Sequence, residues 1–275
     1  MITADFHVHS DFSSDSDTPM EEQIQKAMEL GLEQICFTDH MDYDFPKQYP
    51  LTFVFDMPSY IEELDRLREK YAGRIVVLTG VELGLQPHIA DICHALTGDY
   101  HDKLDFVIGS THIVDNLDPY YEQYWENLSI QEGISRYFEV TLACIEKDMD
   151  FDVYGHLDYI IRYIPKKRRP KEDINCMRQF GDYIDAILKS LIAKGKGIEC
   201  NTAGLKYGLS FPHPHGDILK RYKELGGEIL TIGSDGHGPC HIAYDFPKIG
   251  EFLKKNGFAY YTVFRERKPE FIPIC

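Results

Sequence analysis

Positive charge is scarce in this chain. Its 275 residues carry 29 Lys and Arg against 45 Asp and Glu, a formal net charge of −16. Such a surface repels phosphate backbones and disfavours general nucleic-acid binding, although a bound metal would make one site locally positive. Long apolar runs are missing too: no stretch approaches the ~18 apolar residues of a membrane span. The opening MITADFHVHS has no basic region followed by an apolar one, so no signal peptide is expected. There is no CxxC pair. The seven cysteines are odd in number and scattered, which predicts free, mostly buried thiols in a reducing cytoplasm. No low-complexity segment or linker divides the chain. With 43% hydrophobic residues it can bury one sizeable core.

What is present is alternation. Short apolar runs read as strands at Ile2–Phe6, Gln34–Thr38, Ile75–Thr79, Phe106–Ile108, Asp152–Tyr154, Gly197–Cys200 and Glu228–Ile232. Amphipathic segments between them read as helices at Pro19–Leu30, Pro58–Tyr71, Ser129–Lys147, Asp173–Lys194, His215–Leu225 and Ile242–Asn256. Thr18 and Pro19 open the first of these and Gly31 closes it; Asp56 or Ser59 caps the second. Such alternation predicts parallel strands joined by right-handed crossovers, in an α/β fold. Seven repeats suit a closed, TIM-like barrel one strand short of the eight-stranded form; an open doubly wound sheet is the competing topology.

The strand ends decide between the two. His7-Val8-His9 ends the first, and side chains at i and i+2 on a strand share a face. Asp39-His40, Glu82, His112, His156, Asn201 and Asp235-Gly236-His237 follow the others. In a parallel barrel all these ends meet at one mouth. In an open sheet the outermost would lie too far apart. Imidazoles and carboxylates together suit zinc, iron, manganese or cobalt, and the set exceeds the three or four ligands of a mononuclear site. Two or three ions are therefore expected. Singly, His112 or His156 reads equally as a hydrogen-bonded loop residue; the whole set does not. His88, His94, His101, His213, His215 and His241 lack strand-end placement and read as surface or loop residues.

The series HVHS, TDH, GVE, GSTH, GHLD and GSDGH resembles the motifs of the PHP (polymerase and histidinol phosphatase) superfamily over nearly the whole chain. FSSDS, IGSTHIVD, ECNTAGLKYG and FRERKP look like its histidinol-phosphatase branch. The resemblance implies a distorted (β/α)7 barrel, a single domain over residues 1–275, and a trinuclear centre of two or three divalent ions (Zn, Fe or Mn). It implies that His7, His9, Glu82 and Asp235 hold the first metal, and that Glu82 bridges to a second completed by His112 and His156. Asp15, His40 and His237 would hold the third. Asp15 stands where relatives have histidine, and Asp11 and Asp17 lie nearby; a carboxylate there suits a harder metal.

The implied reaction is hydrolysis of L-histidinol phosphate to L-histidinol and phosphate, late in histidine biosynthesis, by a metal-bridging hydroxide. No GxSxG elbow or CxxxxxR loop offers a protein nucleophile instead. Asp15, His237 or a metal-bound water would protonate the leaving alkoxide. Arg162 and Lys206 are candidates to bind phosphate, with Asn201 beside them on the same rim. The run Lys166-Lys167-Arg168-Arg169 reads as a solvated loop. Asp42, Tyr43, Asp44 and Phe45 stand either against the substrate's cationic half or in turn and packing roles. The alternative substrates are nucleotides or phosphotyrosine. A metal-dependent amidohydrolase and a non-catalytic metal sensor are the other rivals. The expected partner is a small phosphate monoester, with no nucleic acid and no membrane, in a monomer or homodimer.

Overall fold

A computed structural model describes residues 2–172 and 174–275. In chain order the first half comprises β1 (Ala4–Val8), α1 (Met20–Glu29), β2 (Gln34–Phe37), β3 (His40–Met41), α2 (Met57–Lys70), β4 (Val76–Gly84), α3 (Ala90–Asp99), β5 (Phe106–Ser110), α4 (Glu122–Trp125) and α5 (Ile130–Glu146). The second half comprises β6 (Val153–Tyr154), α6 (Cys176–Gln179), α7 (Gly181–Ala193), β7 (Gly197–Asn201), α8 (Ala203–Lys206), α9 (Gly216–Glu224), β8 (Leu230–Gly233), α10 (Phe246–Lys255), β9 (Tyr260–Arg265) and β10 (Lys268–Pro273).

Seven strands pair in parallel in the order β1-β2-β4-β5-β6-β7-β8, and the two-residue β3 adds to β4. The ring is drawn together between its first and last strands by a parallel bridge from Val8 to Gly236, with the His9 N–H donating to the Gly236 carbonyl at 2.9 Å. The result is the expected distorted (β/α)7 barrel. Every residue of β1, β5, β7 and β8 is buried, as parallel strands covered on both faces must be.

The helices follow their local signals. Ser129 caps α5 in a capping box with Glu132, and α5 buries Ile134, Tyr137, Phe138 and Val140 on one face. The apolar ones, Ile134, Phe138 and Val140, contribute about 1.5–3 kcal/mol each on burial. Of the two caps considered for α2, Asp56 serves, accepting from the Ser59 N–H. Gly31 sits past α1 at φ 78, a left-handed stop that other residues resist.

Three differences from the sequence reading matter. The helix expected from Asp173 has its first residue outside the described residues, and the rest divides into α6 and α7 at Phe180, whose φ of −132 breaks the helical path. The strand expected at Ile75–Thr79 runs on to Gly84, which carries Glu82 inside the sheet rather than past its end. The FRERKP segment folds as part of a β9–β10 hairpin. Among the described residues no helix is long and apolar enough to cross a membrane. All seven cysteines are free; Cys240 and Cys275 are exposed and the other five buried.

Candidate metal centre

Glu82 is the hub of the barrel mouth. The register pairs it with His40 on β3 and with Ile108 on β5, so its carboxylate points into the ring among the strand ends. Its Oε2 lies 3.0 Å from His40 Nδ1, 3.2 Å from His7 Nε2 and 3.6 Å from His9 Nε2. Its Oε1 lies 2.9 Å from His156 Nε2 and 3.3 Å from His112 Nε2. Asp235 Oδ1 stands 3.5 Å from His9 Nε2 and 3.4 Å from His237 Nδ1. At the rim, Asp15 Oδ2 lies 3.1 Å from His237 Nε2 and 3.7 Å from His40 Nε2. All nine candidate ligands thus converge. His156 and Asp235 have left-handed backbone, φ 22 and 54, uncommon for residues other than glycine.

Second-layer groups aim these side chains. His7 Nδ1 meets Glu199 Oε1 at 2.7 Å, and His112 Nδ1 meets Asp42 Oδ2 at 2.7 Å. His9 Nδ1 meets the Ser13 hydroxyl at 3.2 Å, and that hydroxyl donates to Asp39. Fixing one ring nitrogen leaves the other free to face the centre. His7 Nε2, His9 Nε2, His40 Nδ1 and Glu82 Oε2 are buried without a hydrogen-bond partner. Such atoms cost about 1–3 kcal/mol each unless something satisfies them. Ligand atoms of His7, His9 and Glu82 lie within 4.8 Å of one another, as do those of His40, Glu82 and His112, and of His9, His40 and His237. The donor set, nitrogen and carboxylate oxygen, fits divalent zinc, iron or manganese.

The electrostatics point the same way. Burial alone would raise the Glu82 pKa, yet His7, His112 and His40 hold it well below the usual carboxylate range. Burial would lower that of His7, but Glu199 and Glu82 raise it well above the usual value. Burial, with His237 and His40 close by, drives His9 well below. Divalent cations would replace the protons this cluster shares.

A cavity of about 560 Å³ opens over the cluster. Asp15, His40, His112, His156, Asp235 and His237 line it together with aromatic residues. Arg162 also lines it, with its guanidinium over the Tyr159, Tyr163 and Tyr207 rings and 3.4 Å from Asp235 Oδ2.

Two expected substrate contacts fall elsewhere. Lys206 Nζ donates to the Asp235 carbonyl at 2.7 Å, bracing the left-handed turn instead of facing the cavity. Asn201 donates to Glu199 Oε2 at 3.1 Å and accepts from the Ala203 N–H. Both are positioned as supports of the ligand layer. His213 is not a surface residue: it is fully buried against Asp158 at 2.6 Å. His241 lines the cavity. Arg168 donates to the Trp125 and Leu128 carbonyls and Arg169 to the Arg162 carbonyl, so half of the basic run is anchored to backbone, while Lys166, Lys167 and Arg168 remain exposed. Asp42 is an orienter of His112, and Asp44 pairs with exposed His88.

Sequence reasoning assigned no role to Glu199, and left Asp39 beside its neighbour His40. A carboxylate inside a fully buried strand, as in GIECN, was the available signal: such a charge needs a buried partner.

Comparison with known proteins agrees with this geometry. The PHP domain family model matches residues 5–203. A histidinol-phosphatase of Lactococcus lactis subsp. lactis is 30% identical over 266 residues, covering 94% of this chain and 93% of that protein. A protein named probable histidinol-phosphatase in Clostridium acetobutylicum is 33% identical over 244 residues, covering 88% and 89%. The crystal structure of the histidinol phosphate phosphatase from Lactococcus lactis, complexed with Zn, L-histidinol and phosphate, superposes with a TM-score of 0.86 at 27% identity, covering 98% of each chain. The barrel, the clustered ligands and a family match over most of the chain agree, and the chain belongs to the PHP domain family.

Proposed function

We propose that the chain is a cytoplasmic histidinol-phosphatase, a phosphoric monoester hydrolase that converts L-histidinol phosphate to L-histidinol and phosphate in histidine biosynthesis. The observation that carries this reading is the chain-long likeness to an enzyme crystallised with Zn, L-histidinol and phosphate. Residues 1–275 act as one domain in this reading, because β8 and the Asp235-Gly236-His237 turn beyond residue 203 complete the ring and the ligand set.

Two or three divalent ions (Zn, Fe or Mn) would be held by three overlapping sets. His7, His9, Glu82 and Asp235 form the first; Glu82, His112 and His156 the second; Asp15, His40 and His237 the third. When bound, such ions supply a water of lowered pKa and offset charge on the phosphate oxygens. The chain's own residues do the rest. Arg162 offers forked donors to a nonbridging oxygen, its guanidinium held by three tyrosine rings. Asp15 Oδ2 and His237 Nε2 lie 3.1 Å apart at the rim, and when no third ion engages them a proton held between the two is available to a leaving alkoxide. Glu199 and Asp42 keep His7 and His112 in fixed orientations.

The test is competitive. L-Histidinol phosphate should be hydrolysed with a kcat/KM about 100-fold or more above that for adenosine monophosphate or phosphotyrosine. Equal values would remove the substrate assignment.

A further inference from the structure

Four aspartates line the cavity: Asp15, Asp42, Asp118 and Asp235. Three are matched to basic groups. Asp15 faces His40 and His237, Asp42 faces His112, and Asp235 faces His9, His237 and Arg162. Asp118 has no ion-pair partner among the described residues. A half-buried carboxylate on a cavity wall with no counter-charge is a place for a ligand's cation.

The chain fixes this carboxylate in position. Val114 and Leu117 exchange both backbone hydrogen bonds around Asp115 and Asn116, whose φ values are 52 and 62. That is a tight two-residue reversal of the left-handed kind Asp and Asn tolerate. It turns the segment after His112 back over the mouth. The Asp118 N–H then donates to the Tyr49 hydroxyl at 3.0 Å, and Oδ1 accepts from the Tyr120 N–H at 2.8 Å. Tyr49 in turn stacks on Tyr121 at 4.2 Å between ring centres. Burial pushes the Asp118 pKa up to about 6, against the pull of the Tyr120 N–H and His112, so the ionised form is only partly compensated.

The cavity wall therefore offers two kinds of charged group. Arg162 and the ligand cluster form one that suits an anion; Asp118 forms one that suits a cation. Phe45, Phe53, Tyr120 and Tyr121 stand around the same space. Building on the histidinol-phosphatase reading, we propose that Asp118 binds the ammonium group of the substrate's amino-alcohol half, whose ring lies against these aromatics. Asp118 is thereby the residue that selects an amino-alcohol phosphate over a neutral phosphate monoester.

The experiment compares L-histidinol phosphate with imidazolylpropyl phosphate, which keeps the ring and phosphate and lacks the ammonium. Wild-type protein should prefer the first by about 10–100-fold in kcat/KM, the worth of one hydrogen bond to a charged group. In Asp118→Asn that ratio should collapse to near one. A ratio that Asp118→Asn leaves unchanged overturns the proposal. Should the variant not fold, wild-type protein decides alone, since equal kcat/KM for the two substrates also overturns it. Adenosine monophosphate separates the two failures. If wild type prefers L-histidinol phosphate over the nucleotide yet ignores the ammonium, only the Asp118 role is lost. If it shows no such preference, the histidinol-phosphatase reading falls and the Asp118 role with it.

Discussion

The Glu199 carboxylate accepts three hydrogen bonds, two of them from candidate ligand residues. Oε1 takes Nδ1 of His7 at 2.7 Å, and Oε2 takes the backbone N–H of His156 at 2.9 Å. One side chain thus orients a candidate ligand of the first metal and steadies the left-handed turn that presents a ligand of the second. Glu199→Gln keeps the shape and replaces one acceptor with a donor, so one of the two bonds is lost. Metal affinity should fall about 10–100-fold, the usual cost of a lost outer-layer partner. Titration of the metal-stripped variant checks this, with activity recovering in excess metal; a purely structural role would give no such recovery. At this scale the sequence was a good guide to the ligands and a poor one to their supports. The HxH spacing places its donors on one face by strand geometry, while those of DGH are presented by a left-handed turn past β8. Glu199, Asp42 and Asp118 act through partners far away in sequence, 192, 70 and 69 residues respectively, and no local pattern encodes such pairings.

Strands β8 and β1 lie so close at the mouth that position 233 must lack a side chain. A Cβ on Gly233 would sit 2.3 Å from Glu199 Oε1 and 2.3 Å from the His7 Cβ, both in buried strands. Gly233→Ala should therefore destabilise the chain by about 1–3 kcal/mol, as overpacking does. A lower urea midpoint at unchanged m-value is the reading expected, and an unaltered midpoint would mean the strands can move apart. Element positions were legible wherever a local signal existed, such as the Ser129 capping box and the Asp56 cap. They were not legible where glycine serves close approach instead of a turn. Gly80 lies in the middle of β4, where a Cβ would come within 2.9 Å of the Phe37 and Phe106 carbonyls, and the GVELG stretch consequently looked like a strand's end. The β9–β10 turn escaped for the opposite reason: Glu266 and Arg267 take φ values of 48 and 60 without a glycine to mark them.

The whole molecule sets a net charge of −16 against a mouth that gathers imidazoles and the Arg162 guanidinium. The bulk surface turns large polyanions away while the interior of the ring is furnished for a small one. Seven-strand parallel architecture followed from the alternation of apolar runs, and the convergence of strand ends followed from closure. The size and mixed lining of the cavity did not, because they depend on the loops after β2 and β5, whose aromatics carry no periodic signal. Everything in the functional reading depends on the cluster around Glu82 holding metal. The most direct test is elemental analysis of protein purified without added metal, paired with assay before and after chelation. Two or three divalent ions per chain are predicted, with hydrolysis of L-histidinol phosphate lost on chelation and restored by Zn, Mn or Fe. A metal-free chain that hydrolyses the ester at full rate would contradict the account.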